Sequence, residues 1–196
     1  MKMKKKERIA EAKSKARKFF QDKRANCAES VFKAIHEVVE SDLPAQVSAL
    51  FTPLGGGVGI RGENCGAMLA GVMALGLVHG RFSPAQGSLE EHRKRLWDTY
   101  SLYNQLPQRF VQEYGSLQCW DLTKPHVYGT KKCRDFCEDL IAETAGMVME
   151  LLIEAEEKGL RFPFQRNLLS QAAEVSGLTA EELIRLKEKG EPFPVS

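Results

Sequence analysis

Five cysteines, Cys27, Cys65, Cys119, Cys133 and Cys137, are the residues of this 196-residue chain whose type and placement could do chemistry. Clustered thiols in a chain with no export signal point to metal binding, nucleophilic catalysis or redox exchange more than to a static disulfide framework. No C-x-x-C pair occurs, so a zinc ribbon is not supported, and the absence of C-x-x-C-H excludes a c-type haem attachment. For any one buried cysteine the ordinary alternative is a small core hydrophobe.

The stretch GGGVGIRGENCGAMLAG, residues 55–71, contains a formal G-x-G-x-x-G from Gly57 to Gly62. A dinucleotide loop would need a preceding strand, a helix opening at the glycines and an acidic strand end about 20 residues on. None of these is present: QVSALFTPL reads as helix ending at a proline, and the region near residue 80 reads as a turn. The glycines instead allow tight wrapping before a helix, and Gly57, Gly59, Gly62 and Asn64 are the expected backbone support of a site at Cys65. Asn64 is the expected N-cap, which places Cys65 in the first turn, where free N–H groups and the helix dipole favour a thiolate.

The same device precedes it in RANCAESVFKAIHEVV, with Asn26 before Cys27 and Glu29 three residues after the cap. At 100° per residue Cys27 shares a face with Val31, Ala34, Ile35 and Val38, so its thiol should point to the core, whereas His36 falls on the charged face. In TKKCRDFCEDLIAETAGMVMELLIEA, Cys133 and Cys137 lie with Ile141, Ala145, Val148 and Leu152, opposite Asp139, Glu143, Glu150 and Glu154. Cβ atoms at i and i+4 stand about 5–6 Å apart on a helix, too far for a disulfide, so the partners of these two thiols are sought in Cys27, Cys65 and Cys119.

The elements that must position these thiols are helices. Apolar residues recur at helical spacing and no run alternates with period 2, which predicts an all-α fold. Helices are expected over Glu7 to Phe20, Cys27 to Val39, a short stretch near AQVSALF, and an apolar central helix over about 65–79. After a turn marked by Gly80, Pro84 and Gly87, a charged helix should start at Ser88, with Glu91 in capping-box spacing, and break or kink at Pro107. Cys119 falls in an irregular segment, and helix resumes from Thr130 to about Lys158. The expected architecture is a compact bundle over 1–158 with a helical extension over 159–196, whose last helix begins at Thr179 with Glu182 as its box partner.

The net charge of +2 is too small to imply a nucleic-acid partner. The longest apolar run, residues 65–78, is too short to span a bilayer, so no membrane insertion is expected. The basic N-terminal stretch lacks the apolar run of a signal peptide, which predicts a cytoplasmic protein, and its charges read as a solvated helix face, as do those of EEHRKR.

Taken together, NCAESVF at Cys27, the glycine run leading into a CGAxxG-type motif at Cys65 and an ALGL helix, QCWDLT at Cys119 and CEDLIAETA at Cys137 resemble the redox-active protein family named for its C_GCAxxG_C_C cysteine pattern. The resemblance covers about residues 24–155 and implies a small, mainly helical bacterial or archaeal protein. It matches Cys137 to the final cysteine of the pattern and leaves Cys133 as an addition. Some relatives carry haem motifs; this sequence has none.

The leading expectation is that Cys27, Cys65, Cys119 and Cys137 form a thiol site for thiol–disulfide exchange or electron transfer, in which Cys65 attacks as the thiolate and Cys27 resolves the mixed disulfide. In a second reading the same four, with Cys133 as a further candidate, hold zinc or an iron–sulfur cluster. A third makes the chain an interaction protein with inert cysteines. The expected partner is a redox protein or a small molecule, and a homo-oligomer is compatible with the amphipathic tail.

Overall fold

The computed structural model describes residues 4–81, 87–164 and 166–194. The predicted breaker Pro84 lies outside them. The chain is all-α: α1 (Lys5–Gln21), α2 (Cys27–Val38), a 3₁₀ segment (Ala45–Leu54), α3 (Gly66–His79), α4 (Leu89–Tyr114), α5 (Cys119–Thr123), a 3₁₀ turn (Lys124–His126), α6 (Lys131–Lys158), α7 (Leu169–Ser176) and α8 (Ala180–Lys189). Among the described residues the only sheet-like pairing is an isolated antiparallel bridge between Asn64 and Gln118.

Side-chain caps set the starts of α2, α4, α6 and α8. Asn26, Ser88 and Thr179 accept N–H groups of the first turn while Glu29, Glu91 and Glu182 reach back to the cap backbone, as their spacing predicts. Thr130 caps α6 by accepting the Cys133 N–H at 3.2 Å. Pro107, where a break or kink is expected, lies inside α4 without ending it. Leu102, Leu106 and Phe110 around it are fully buried, and packing on both sides of the proline carries the helix past the missing hydrogen bond.

The core lies where α6 packs on α1, α2, α3 and α4. Ile141, Ala145, Val148 and Leu152 of α6 meet Val31, Ala34 and Ile35 of α2 and Ala67, Ala70 and Ala74 of α3 in one cluster of buried side chains. Small residues let the axes approach. A Cβ on Gly71 of α3 would stand 2.6 Å from Leu106 Cδ2 and 3.0 Å from Val148 Cγ2. Gly71→Val should therefore overpack the α3–α4–α6 junction and lower stability by about 1–3 kcal/mol in urea titration, and an unchanged midpoint would contradict the packing described. The far side of α3 is open, with Met73 43% and Val78 38% exposed.

The charged face of α1 is not simply solvated. Arg8 makes a two-pronged pair with Glu156 at 2.7 and 2.8 Å, Lys13 meets Glu143 at 2.6 Å, and Arg17 meets Glu138 at 2.9 Å and Asp139 at 2.7 Å. Lys5 pairs with Glu157 as well. Asp139 and Glu143 of the acidic arc, with Glu138, Glu156 and Glu157, thus face α1, held close by the fully buried Ala12 and Ala16, while Glu150 and Glu154 pair with Arg109 of α4. These half-exposed pairs set register and orientation more than stability. Beyond α6, the chain is tied to α4 through Ser101, whose Oγ donates to the Leu160 carbonyl and accepts the Phe162 N–H, both at 2.9 Å, and α8 rests on α4.

Candidate functional site

All five cysteines line one cavity of about 510 Å³. Cys27 comes from the first turn of α2, Cys65 from the start of α3, Cys119 from the start of α5, and Cys133 and Cys137 from the first turns of α6. Cys65, Cys119 and Cys133 are buried, Cys27 and Cys137 are part-buried, and all five are free thiols. Four separate chain segments therefore deliver sulfur to one place. Cys133, read from the sequence as an addition to the pattern, shares the cavity with the other four.

Each delivery has a local cause. At α2, Asn26 Oδ1 accepts the Ala28 and Glu29 N–H groups at 2.9 and 3.0 Å, and Asn26 Nδ2 donates to the Thr52 carbonyl at 3.0 Å. The start of α2 is thereby fastened to the end of the first 3₁₀ segment. At α3 the expectation is corrected: Cys65, not Asn64, is the N-cap residue. Asn64 instead forms the bridge with Gln118, accepting from Gln118 Nε2 at 3.2 Å. Flanking that bridge, the Cys65 N–H donates to the Leu117 carbonyl and the Cys119 N–H to the Glu63 carbonyl, both at 2.7 Å, so these two cysteines sit on hydrogen-bonded neighbouring backbones. Cys119, expected in an irregular segment, opens a short helix.

Between the first 3₁₀ segment and the bridge runs a left-handed stretch. Gly56, Gly57, Val58, Gly59 and Ile60 have φ between 61° and 69°. Val58 and Ile60 are β-branched, for which this region costs roughly 1–2 kcal/mol per residue. Backbone bonds hold the stretch in place: Val58 N–H to the Leu54 carbonyl, Ile60 N–H to Gly55, Gly62 N–H to Gly56 and Glu63 N–H to Gly57, at 3.1–3.2 Å. Gly57 is pressed against the site, since a Cβ there would stand 2.6 Å from Cys119 Cβ and 2.7 Å from the Glu63 carbonyl oxygen. Gly62 backs onto Trp120 and accepts its N–H at 2.9 Å, whereas a Cβ on Gly59 would meet nothing within 4 Å. Of the three glycines singled out by the motif, Gly57 and Gly62 border Cys119 and its neighbour, and Gly59 serves the turn alone.

Two further glycines, unassigned by the sequence reading, touch the thiols. The Gly56 N–H is directed at Cys27. Gly66 lies against it: a Cβ there would collide with the Leu54 carbonyl oxygen and stand 3.0 Å from Cys27 Sγ. The run of three glycines was the available signal for Gly56, and the residue after Cys65 was the signal for Gly66.

Electrostatics reverses one expectation. Burial raises the Cys27 thiol against the N–H groups of Gly56, Ala28, Cys27 and Ala67, which lower it. Burial likewise pushes Cys65 up to about 12, helped by the neighbouring Cys27 and Cys119 and opposed by the N–H groups of Met68 and Ala67. Cys119 is pushed up to about 11 by burial and by Cys27 and Cys133, and Cys137 is raised by burial and by Cys133, Cys27 and Cys65. The helix starts do aim N–H groups at sulfur. Desolvation outweighs them, so Cys27, Cys65, Cys119 and Cys137 rest protonated at neutral pH.

The remaining wall is apolar and cationic. Phe20, Tyr128, Phe136, Leu140 and Ile141 supply the apolar part, and Lys23, Lys131 and Arg134 the charge. No histidine lines the cavity among the described residues; His126 stacks on Phe136 at 4.3 Å between ring centres, and His36 bonds the Leu43 carbonyl at 2.9 Å. No group of three or more His, Cys, Asp or Glu side chains among the described residues has an arrangement that could hold a metal ion.

Residues 25–151, which carry all five cysteines and the left-handed stretch, match the family described as "Putative redox-active protein (C_GCAxxG_C_C)". The chain belongs to this family. Membership in the C_GCAxxG_C_C family carries a general redox role, and the cavity is where the cysteines of its pattern meet. Residue by residue this member departs from the motif: it reads Cys65-Gly66-Ala67-Met68-Leu69-Ala70-Gly71, with the closing glycine one place later than in CGAxxG. Ala70 is fully buried, and the close contact to α4 and α6 falls to Gly71. No curated protein and no solved structure matches the chain. Among the described residues no helix is long and apolar enough to cross a membrane.

Proposed function

We propose that the cavity performs thiol–disulfide exchange, with Cys27 and Cys65 as the exchanging pair. The observation that carries this reading is the convergence of five free thiols from separate segments on one small cavity. Inert packing does not require such convergence. Cys27 takes the attacking role and Cys65 the resolving one, the reverse of the order expected from the sequence. Cys27 is the less buried of the two, and the N–H groups of Gly56, Ala28 and Ala67 favour its sulfur anion. Those N–H groups stabilise the sulfur anion as it forms or leaves, once solvent hydroxide has taken the thiol proton.

The direction of the chemistry follows from the same balance. Strong thiol oxidants are those whose reduced form is stabilised as thiolate, and here burial works against the thiolate, so the reduced cavity acts as an electron donor. Cys119, Cys133 and Cys137 line the same cavity as the pair, and Cys119 and Cys137 each feel the charge of Cys27 and Cys133.

Stepwise oxidation of the reduced protein, followed by peptide mapping, tests the assignment. The first disulfide should join Cys27 to Cys65, and Cys27→Ser should slow exchange with a small disulfide by about 100-fold or more, the scale of losing a nucleophile. A first disulfide that includes neither residue would overturn the pair. The zinc or iron–sulfur reading, with Cys27, Cys65, Cys119 and Cys137 as ligands and Cys133 as a further candidate, predicts stoichiometric metal in anaerobically purified protein, released when the thiols are alkylated.

A further inference from the structure

We propose that the substrate of the cysteine cavity is a small disulfide that carries carboxylate groups. This rests on the exchange reading above and adds the class of molecule reduced.

Size and burial select a small molecule. A cavity of about 510 Å³ lies in the range of small-molecule sites. The attacking Cys27 is part-buried in the cavity wall and its resolving partner Cys65 is 5% exposed, so a disulfide has to enter the cavity to be exchanged between them, which favours a small molecule over a folded protein surface.

Charge selects an anion. Among the described residues the cavity wall contains three cations and no aspartate or glutamate. Lys23 and Lys131 line it while remaining exposed, which places them at its mouth. Lys131 is shared with Asp135 at 2.6 Å, but Lys23 has no carboxylate partner among the described residues. Arg134 is fixed in the wall by its hydrogen bond to the Phe20 carbonyl at 2.5 Å and by stacking 4.5 Å from the Phe20 ring centre. The carbon chain of an entering ligand meets Phe20, Tyr128 and Phe136, its carboxylates meet the cations at the mouth, and its sulfur reaches the thiols.

The exchange balances with the protein's own groups. Cys27 thiolate attacks one sulfur of RS–SR, the S–S bond breaks, and RS⁻ leaves to take a proton from solvent. Cys65 thiolate then attacks the Cys27 sulfur and expels the second RS⁻. Two protein thiols and one disulfide become one protein disulfide and two RSH, and an external dithiol restores the reduced form.

The test uses three disulfides of similar size in single-turnover reactions at low ionic strength: dithiodipropionate with two carboxylates, hydroxyethyl disulfide with no charge, and cystamine with two ammonium groups. Each rate is divided by that of the same disulfide with free dithiothreitol. The normalised rate should be about 10-fold higher for the anionic than for the neutral compound and lowest for the cationic one, with the gap closing as salt is added. The double variant Lys23→Glu, Lys131→Glu should bring the anionic-to-neutral ratio to one or below. Equal normalised rates for all three would overturn the substrate class while leaving thiol exchange standing. Failure of all three to oxidise the protein, when diamide does, would overturn the exchange reading itself.

Discussion

At pH 7 the Cys65 thiol of the folded protein will carry about a thousandth of the thiolate it carries in the denatured chain, because burial moves its pKa from 9.0 to about 12. Alkylation by a small reagent should be slower by about 10-fold or more, since the greater nucleophilicity of the more basic thiolate offsets part of that loss. The same shift acts on stability. A folded state that holds its proton more tightly than the unfolded state is fully favoured below the unfolded pKa, near 9, and loses that advantage as pH rises toward the folded value. For Cys65 the window runs from 9.0 to about 12 and for Cys119 from 9.0 to about 11, and within it each buried thiol should cost about 1.4 kcal/mol per pH unit.

Lysines and tyrosines titrate in the same range, so the measurement is a difference. Urea midpoints of the parent and of Cys65→Ala should diverge in slope above pH 9 and run parallel below it. Parallel curves throughout would mean that the N–H groups of Ala67 and Met68 offset the burial of Cys65 after all. Thiolate absorbance in the folded state gives an independent reading of the same titration.

Gly57→Ala should lower stability by about 3 kcal/mol or more, adding the left-handed backbone of a residue with a Cβ to an unaccommodated contact. Gly57 has φ of 69°, and the new Cβ would meet Cys119 Cβ at 2.6 Å and the Glu63 backbone at 2.7 and 2.8 Å. Two of these neighbours are main-chain atoms held in the bridge that joins Cys65 to Cys119, so relief by a side-chain rotation is closed off. Gly59→Ala supplies the control. Its φ of 61° carries the same backbone cost, but nothing lies within 4 Å, so a loss of about 1–2 kcal/mol is expected. Equal losses at the two positions would show that backbone conformation alone matters, and that Gly57 is not what seats Cys119. The Gly57 variant should also expose Cys119 to alkylation, a readout that general destabilisation by Gly59→Ala does not share at low denaturant.

Much of the site was legible before any tertiary contact was known. Asn26 with Glu29, Ser88 with Glu91, and Thr179 with Glu182 announce their helices because a cap is satisfied by residues three positions apart, within reach of local sequence. The inward faces of Cys27, Cys133 and Cys137 follow from helical periodicity in the same way. Asn64 deceived for the converse reason: it has the chemistry of a cap, but its side chain is engaged by Gln118, 54 residues away, and the cap position passes to Cys65. Pro107, expected to break or kink α4, does not end it, because Leu102, Leu106 and Phe110 are buried on both sides of it.

The sequence by itself determined the all-α class, the main helices and the cysteine pattern that marks the family, since each of these depends on neighbours a few residues apart. Only the tertiary structure decided that Cys133 joins the other four thiols, that α1 pairs with Asp139 and Glu143 of α6 while α4 takes Glu150 and Glu154, and that Gly56 and Gly66 border Cys27. It also decided the sign of the thiol chemistry. Helix N–H groups are local and visible in the sequence, whereas desolvation sums over everything packed around a sulfur, and in this fold the second effect is the larger.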